Sequence, residues 1–349
     1  MPKIISIAAS LIVVYLCGLL LIAGRSLLIP IVIALLVWHF LNAINLAIGN
    51  LPKVGKKIPT WMSFTLTLFI VILLANMLFG IISNNVTDVI NASARYQANI
   101  QAILNKLDKS LHIKANFPLD YLFGDFAIQP ILINIYEVFT SITSSTVLIS
   151  LYVVFLFVEQ HFFSAKMLAL FPQTKHRNII ENMLDQMVHD TQTYLGLKTF
   201  LSLITAFSSW LIMRAVGLDF AAFWALLIFF LNYIPNIGAI VATLFPSLLA
   251  IIQFQAWLPC LIISCGIVSI QFIIGNFIEP RVLSHSLNVS PLIILIALAF
   301  WGSVWGILGM FLSVPITVIM MIIFAHFDST KPISILLSQN GCVQKSYVK

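Results

Sequence analysis

Residues 232–246 read NYIPNIGAIVATLFP, and residues 301–315 read WGSVWGILGMFLSVP. Each stretch lies near the middle of a nearly continuous apolar segment, Phe220 to Phe254 and Pro291 to His326. A straight helix of that length would extend roughly 50 Å at 1.5 Å per residue, whereas the hydrocarbon core of a bilayer is about 30 Å thick. Proline and glycine interrupt both segments. The sequence therefore predicts two discontinuous membrane helices.

The two interrupted segments occupy matching positions in the apolar C-terminal half. Each follows a span, Leu201 to Val216 or Leu258 to Phe277, and a short charged break, which indicates a duplicated unit of about 70 residues. Freed N–H and C=O groups persist in lipid only where they are buried in protein or line a polar cavity. The pair therefore favours a secondary transporter in which both segments form a solute site near the bilayer middle and move against the other helices. The alternative is that Pro235 and Pro315 only kink helices for packing.

The composition excludes a soluble enzyme. Of 349 residues, 60% are hydrophobic and 9% charged, against roughly 25% charged in an ordinary soluble domain. An intramembrane enzyme is not supported, because the sequence contains no H-E-x-x-H motif, no G-x-S-x-G motif and no pair of acidic residues within a span. The net charge of +6 forms no basic stripe interleaved with aromatics, so no nucleic-acid partner is predicted. The four cysteines lack metal-ligand spacing, so neither a metal nor a cofactor is predicted. The scarcity of charge indicates that membrane lipid is the main solvent of the chain.

The hydropathy pattern predicts an all-α, polytopic integral membrane protein of about eight transmembrane helices, with two extramembrane amphipathic helical segments. The loop from Gly49 to Thr60 carries three lysines and no acid, which places it and the N-terminus in the cytoplasm by the positive-inside rule. The predicted regions are 1–83 (spans 4–23, 27–48 and 61–82), 84–135 (extracytoplasmic helical segment), 136–163 (fourth span), 164–198 (cytoplasmic amphipathic helix), 199–327 (transport region) and 328–349 (cytoplasmic tail).

Ionisable side chains are scarce between Thr199 and Phe327. Besides histidines, this half contains four, which all lie at the two breaks: Arg214, Asp219, Glu279 and Arg281. A charged group in a membrane pairs, lies at an interface or faces a polar cavity. These four are therefore candidates for coupling or gating, and interfacial anchoring is the alternative for Glu279 and Arg281.

Neutral hydrogen-bonding groups near the breaks suit a hydroxylated solute, and the candidates are Asn232, Asn236 and Asn276. A cation/proton antiporter is the second hypothesis, and it requires a titratable carboxylate in the membrane. Asp219 and Glu279 lie at span ends rather than in mid-span, which weighs against an antiporter. A scaffold that transports nothing leaves the two matching interruptions without a reason.

Three stretches resemble the signature blocks of the autoinducer-2 exporter-like family of bacterial membrane transporters. They are NYIPNIGAIVATLFPSLLAII, NFIEPRVLSHSLNVSPLIILIALAFWG and GILGMFLSVPITVIM, preceded by TYLGLK. The resemblance covers most of the chain and is strongest from Tyr194 to Phe324. It implies an inner-membrane protein of about eight helices, with both termini cytoplasmic, that forms homo-oligomers. It also implies export of a small polar solute, the quorum-sensing signal autoinducer-2 in the best known case, while some relatives are described as sodium/proton antiporters.

The family's blocks carry over onto particular positions of this chain. Glu279 and Arg281 among them remain candidates for coupling or gating. The candidate solute-path and hinge residues are Asn232, Pro235, Asn236, Gly238, Pro246, Asn276, Pro291, Gly302, Gly306, Gly309 and Pro315. The matching residues are Pro235 and Gly238, then Glu279, Pro280, Arg281 and Pro291, and finally Gly306, Gly309 and Pro315. The chain departs from the family at Asn236, where an aromatic residue is frequent. It also reads Leu287-Asn288-Val289-Ser290 where the family has a glycine-containing approach to Pro291. Both departures concern the choice of solute.

Overall fold

The computed structural model describes residues 3–49, 65, 69, 72–73, 76, 80, 92, 95–103, 145–170, 174–283 and 288–341. These residues are helical apart from turns and one isolated β-bridge, so the prediction of an all-α fold is confirmed. Six of the described helices are long and apolar enough to cross a membrane, as a multi-pass membrane protein requires. Most of the predicted span 61–82, nearly all of the basic loop, most of 84–135 and the tail beyond 341 lie outside the described residues.

The N-terminal helices agree with the predicted spans. Helix α1 comprises Lys3–Ala23 and α2 comprises Arg25–Gly49, and the single residue Gly24 separates them. Helix α3 comprises Thr146–Leu170 and packs along α2. The indole Nε1 of Trp38 donates a hydrogen bond to Gln160 Oε1 at 3.2 Å, so polar groups within these two apolar helices satisfy each other.

Helix α4, Thr174–Val216, is continuous over 43 residues. The sequence predicts an amphipathic helix ending near residue 198 and a separate span from 201, and the structure joins them. No proline lies between the two parts, and Gly196 is tolerated inside a helix at a cost of about 1 kcal/mol. The resulting rod is roughly 65 Å long, so a polar first part runs directly into an apolar second part.

The described helices form two compact units. The first contains α1, α2, α3, the part of α4 up to Leu197, and the chain from Leu283 onward. The second contains residues 65–144 where described and the chain from Lys198 to Val282. Its helices are the end of α4, α5 (Ala221–Leu231), α6 (Ile237–Phe254), α7 (Trp257–Ile273), a π-helix (Ile274–Ile278) and α8 (Glu279–Leu283).

The segment 220–254 folds as a helical hairpin, which we call hairpin 1. Helix α5 has 11 residues and would extend only about 17 Å, so it is too short to cross the hydrocarbon core alone. Helix α6 returns along it, and both helices bury apolar side chains in one cluster, including Phe223, Trp224 and Ile228. The sequence predicts the interruption, and the structure shows that the chain reverses there.

The segment 291–326 also reverses, and we call it hairpin 2. Helix α9, Pro291–His326, is broken at Gly306, which has φ 64° and ψ −141°. A Cβ at Gly302 would lie 2.9 Å from the Met310 side chain, although eight residues of straight helix span about 12 Å. Helix α10 (Lys331–Leu337) packs on α9, and its last residue contacts the start of α9, because Ser290 N donates to Leu337 O at 2.9 Å.

Candidate functional site

The tip of hairpin 1 is the turn from Asn232 to Asn236 between α5 and α6. Backbone N–H groups released by the break find carbonyl partners within the turn, as in Ile234 N to Leu231 O at 2.9 Å and Gly238 N to Ile234 O at 3.1 Å. Asn236 adopts φ 58° and ψ −57°, a backbone conformation that costs about 1–3 kcal/mol outside glycine. Pro235 precedes it and cannot donate a backbone hydrogen bond. The chain thus reverses in five residues with its backbone groups largely paired.

Two glycines allow the hairpins to close. A Cβ at Gly238 would overlap the backbone carbonyl oxygen of Leu231 in the facing helix α5. A Cβ at Gly309 would overlap the carbonyl oxygen of Trp301 in the same way. Only glycine permits such an approach of backbone to backbone. The predicted family positions Gly238 and Gly309 therefore have the same structural role in the two hairpins.

Side-chain hydrogen bonds connect the tip of hairpin 1 to α4. Thr199 Oγ1 and Tyr233 Oη are 2.7 Å apart, and Asn232 Nδ2 donates to Ser202 Oγ at 3.0 Å. Tyr233 and Ser202 are buried, whereas Asn236 is exposed at the tip. Sequence reasoning selected Asn232 and Asn236. It missed Thr199, Ser202 and Tyr233, whose hydroxyl groups look like ordinary helix residues until the hairpin brings them together.

A second group of hydroxyl and amide side chains lies between α6 and α7. Thr243 Oγ1 donates to Gln271 Oε1 at 3.1 Å, and Ser264 Oγ donates to Ser247 Oγ at 2.7 Å. Pro246 lies inside α6 beside Ser247 and is buried. Small hydroxyl residues allow membrane helices to approach closely and to hydrogen-bond across the interface. This group therefore fixes α6 against α7 within the second unit.

Glu279 pairs with Lys198. The Nζ of Lys198 donates to Glu279 Oε1 at 2.5 Å, and the two side chains are 6% and 25% exposed. Lys198 is absent from the residues predicted above. The only sequence signal for it is its place at the end of TYLGLK, where polar sequence passes into the apolar half. The pair lies beside the hairpin tip because Thr199, the next residue in α4, contacts Tyr233.

Asp219 belongs to a cluster at the opposite end of hairpin 1, where α5 begins and α6 ends. Arg95 Nη2 and Tyr96 Oη both donate to Asp219 Oδ2, at 2.6 Å and 3.0 Å. Burial raises the pKa of Tyr96 to about 12, so its hydroxyl keeps its proton at neutral pH. Asn99 Nδ2 donates to Ile252 O at 3.0 Å, which attaches the helical residues 95–103 to the end of α6. These polar contacts hold the base of hairpin 1.

The other predicted charged and amide residues are more exposed. Arg214 is exposed near the end of α4, and Arg281 is exposed in α8. Asn276 is also exposed, within the π-helix, and its Nδ2 donates to Phe272 O in the preceding turn at 3.1 Å. Asn276 is thus bonded within its own helix, and the coupling or gating roles of Arg214 and Arg281 remain predictions.

The remaining predicted residues lie in hairpin 2, within the first unit. Pro291 begins α9, Gly306 is the reversal point and Pro315 is buried in the returning helix. Trp301 and Trp305 pack against each other with ring centroids 5.1 Å apart. The indole Nε1 of Trp305 donates to Leu21 O in the last turn of α1 at 3.1 Å. A carbonyl near the end of α1 thus receives a partner from the tip region of hairpin 2.

Within the described ranges, no group of three or more His, Cys, Asp or Glu side chains could hold a metal ion. The described polar groups of the second unit are hydroxyl groups, amides and the ion pairs Arg95–Asp219 and Lys198–Glu279. Such groups bind and release a solute by hydrogen bonding. They provide no evident nucleophile with an adjacent base.

Comparison with known proteins gives a consistent result. Residues 4–329 match the AI-2E family transporter profile. The chain is 28% identical to the AI-2 transport protein TqsA of Escherichia coli K12, over 96% of this chain and 95% of that protein. It is 32% identical to a provisionally named transport protein of Borreliella burgdorferi, over 69% of this chain and 67% of that protein. A similarly named protein of Haemophilus influenzae is 26% identical over 91% and 93% of the two chains.

Proposed function

Because the chain belongs to the AI-2E family of transporters, we propose that it is a secondary transporter that exports a small polar solute, with autoinducer-2 as the first candidate. The protein is a multi-pass membrane transporter and not an enzyme. The proposal adds the direction of transport and the class of solute. It places the protein in the bacterial inner membrane with both termini in the cytoplasm, and it includes assembly as a homo-oligomer and the use of a coupling ion.

The polar tip of hairpin 1 carries the proposal. In a unit whose surroundings are apolar, Asn232, Tyr233, Thr199 and Ser202 form hydrogen bonds where the chain reverses. A transporter requires polar groups that exchange partners inside the membrane, and interrupted helices are where such groups are found. The amide of Asn236 is exposed beside them. We therefore assign the solute contacts of the second unit to this tip.

Two buried donors without partners lie in the same unit as the tip of hairpin 1. Ser209 Oγ on α4 and Trp224 Nε1 on α5 are buried and have no hydrogen-bond partner among the described residues. A buried unpaired polar group costs about 1–3 kcal/mol. Both belong to the second unit, whose described side chains therefore leave hydrogen-bonding capacity unused. A hydroxylated solute or a bound water could use that capacity.

The proposal is tested by flux in reconstituted vesicles. Autoinducer-2 is loaded on one side, and its movement is compared between the wild type and the variants Asn232→Ala, Pro235→Ala and Glu279→Gln. We expect each variant to reduce flux at least tenfold, while Ser303→Ala, an exposed residue of hairpin 2, leaves it unchanged. Unaffected flux in all three variants would refute the assignment of the site. Sodium-driven proton movement that is lost in Glu279→Gln would instead favour the antiporter.

A further inference from the structure

Lys198 is the most unusual charge in the described part of the chain. Among the described residues it is the only Lys, Arg, Asp or Glu whose side chain is buried. A buried ammonium is costly in free energy unless it is paired and hydrogen-bonded. Its partner Glu279 is 81 residues away in the sequence, so helix packing alone creates the pair.

The π-helix from Ile274 to Ile278 sets the position of Glu279. A π-turn inserts one extra residue into a helix, which rotates everything after it by about 100° relative to an uninterrupted α-helix. Glu279 is the first residue after this insertion. Single π-turns inside α-helices occur frequently at functional sites. The insertion therefore directs the carboxylate toward α4 and its lysine.

The pair lies within one helical turn of the hairpin 1 contacts. Thr199, which follows Lys198, contacts Tyr233, and Ser202, one turn further along α4, accepts from Asn232. The described contacts beside the tip thus involve two opposite charges, which cancel, and several neutral hydrogen-bonding groups. An anionic solute would have to displace Glu279 from Lys198, and a cationic solute would have to displace Lys198 from Glu279. The first exchange leaves the partly exposed Glu279 carboxylate without a partner, and the second leaves the buried Lys198 ammonium without one.

We propose that the Lys198–Glu279 pair makes the solute site electrically neutral, so that the transporter selects an uncharged, multiply hydroxylated solute and rejects anions of the same size. This inference rests on the transport proposed above and concerns the same site. Lys198 is here a specificity-determining residue that acts through the charge it cancels. The carboxylate of Glu279 is occupied by an ammonium group in this arrangement and balances that charge.

Competition against autoinducer-2 flux in proteoliposomes tests the rule. Erythritol and erythronate are the competitors, because they share a four-carbon polyhydroxyl skeleton and differ by one negative charge. In the wild type, we expect erythritol to inhibit at a concentration at least tenfold lower than erythronate. In Glu279→Gln, the unpaired Lys198 should bring that ratio to about one or reverse it. In the double variant Lys198→Gln/Glu279→Gln, the preference for erythritol should return, and flux should exceed that of either single variant.

Lys166 and Glu159 provide the matched control, because they form an ion pair whose side chains are 56% and 55% exposed. Lys166→Gln and Glu159→Gln should change neither the flux nor the ratio. An unchanged ratio in Glu279→Gln would overturn the inference. The inference would also be overturned if the fold-loss of flux in the double variant equalled the product of the two single fold-losses, because that result means that the two residues act independently.

A failure of the proposed function is distinguishable from a failure of the inference. If the wild type shows no autoinducer-2 flux, the function is wrong, and the charge rule is then measured by ligand-induced thermal stabilisation of the purified protein. Stabilisation of the wild type by erythritol and of Glu279→Gln by erythronate would support the rule. The absence of this exchange of preference would overturn it.

Discussion

Replacing Gly238 with alanine tests whether the two helices of hairpin 1 approach as closely as the structure shows. The new Cβ would meet the Leu231 carbonyl oxygen well inside the 3.0 Å below which real Cβ contacts are essentially never found. The obstacle is backbone rather than a flexible side chain, so relief requires α5 and α6 to separate by about 1 Å. The substitution therefore opens the hairpin at its tip.

The magnitude follows from two opposing effects. Overpacking costs about 1–3 kcal/mol, and the depth of this overlap places the cost at the upper end. Alanine in a helix returns up to about 1 kcal/mol relative to glycine. We expect a net loss of about 2 kcal/mol in the free energy of unfolding. This corresponds to a decrease in melting temperature of roughly 4–8 °C, at about 2–4 °C for each kcal/mol.

Thermal unfolding of the purified protein, followed by tryptophan fluorescence, is the assay. Gly275→Ala is the matched control, because no neighbouring atom lies within 4 Å of its new Cβ, and we expect it to be neutral or slightly stabilising. Gly302→Ala should fall between them, since its Cβ would meet the flexible Met310 side chain at 2.9 Å. A melting temperature of Gly238→Ala equal to or above that of Gly275→Ala would refute the close packing of hairpin 1.

Three further predictions concern polar contacts, and a fourth concerns orientation. Because burial raises the pKa of Tyr96 to about 12, its stabilising contribution is complete below pH 10 and is lost as the pH rises toward 12. The stability advantage of the wild type over Tyr96→Phe in pH-dependent melting should therefore shrink across that window, and a constant difference would contradict the buried hydroxyl. Trp305→Phe removes the indole donor to α1 and should cost about 1–2 kcal/mol in thermal unfolding; an unchanged melting temperature would show that the bond is dispensable. Thr199→Val and Tyr233→Phe remove the same hydrogen bond, so the double variant should lose less stability than the sum of the two single losses, and additive losses would contradict a shared contact. A single cysteine at position 56 should react with impermeant reagents only from the cytoplasmic side, and labelling from outside would reverse the proposed orientation.

Sequence reasoning located both interruptions because proline and glycine act locally. The reversal points lie at Asn232–Asn236 and at Gly306, inside the stretches that the breakers mark. Residues such as Gly238 and Gly309 were accessible from the sequence as motif positions. The structural reason for these glycines could not be predicted. The carbonyl oxygen that excludes a Cβ belongs to the facing helix, which approaches the glycine only when the chain has reversed.

The partners of the charged residues could not be predicted in the same way. Glu279 and Arg281 are neighbours in the sequence, but the ion pair of Glu279 forms with Lys198, 81 residues away. Asp219 likewise pairs with Arg95, 124 residues away. Charge spacing along a helix predicts only contacts three or four residues apart. These pairs depend on which helices pack together and, for Glu279, on the extra residue of the π-turn.

The sequence by itself determined the membrane as solvent, the all-helical class, the two places where helices break and the family. The first three follow from composition, from apolar length against bilayer thickness and from local backbone preferences, all of which are properties of neighbouring residues. The family follows from the resemblance of the signature blocks. Only the tertiary structure decided that the broken segments are hairpins, that α4 continues without a break from its polar part into its span, and that Lys198 faces Glu279. The hairpins and the ion pair depend on contacts between separate helical segments, where close packing and the cost of an unpaired buried charge select one arrangement. The continuity of α4 is local, because nothing in its sequence breaks the helix where its polarity changes.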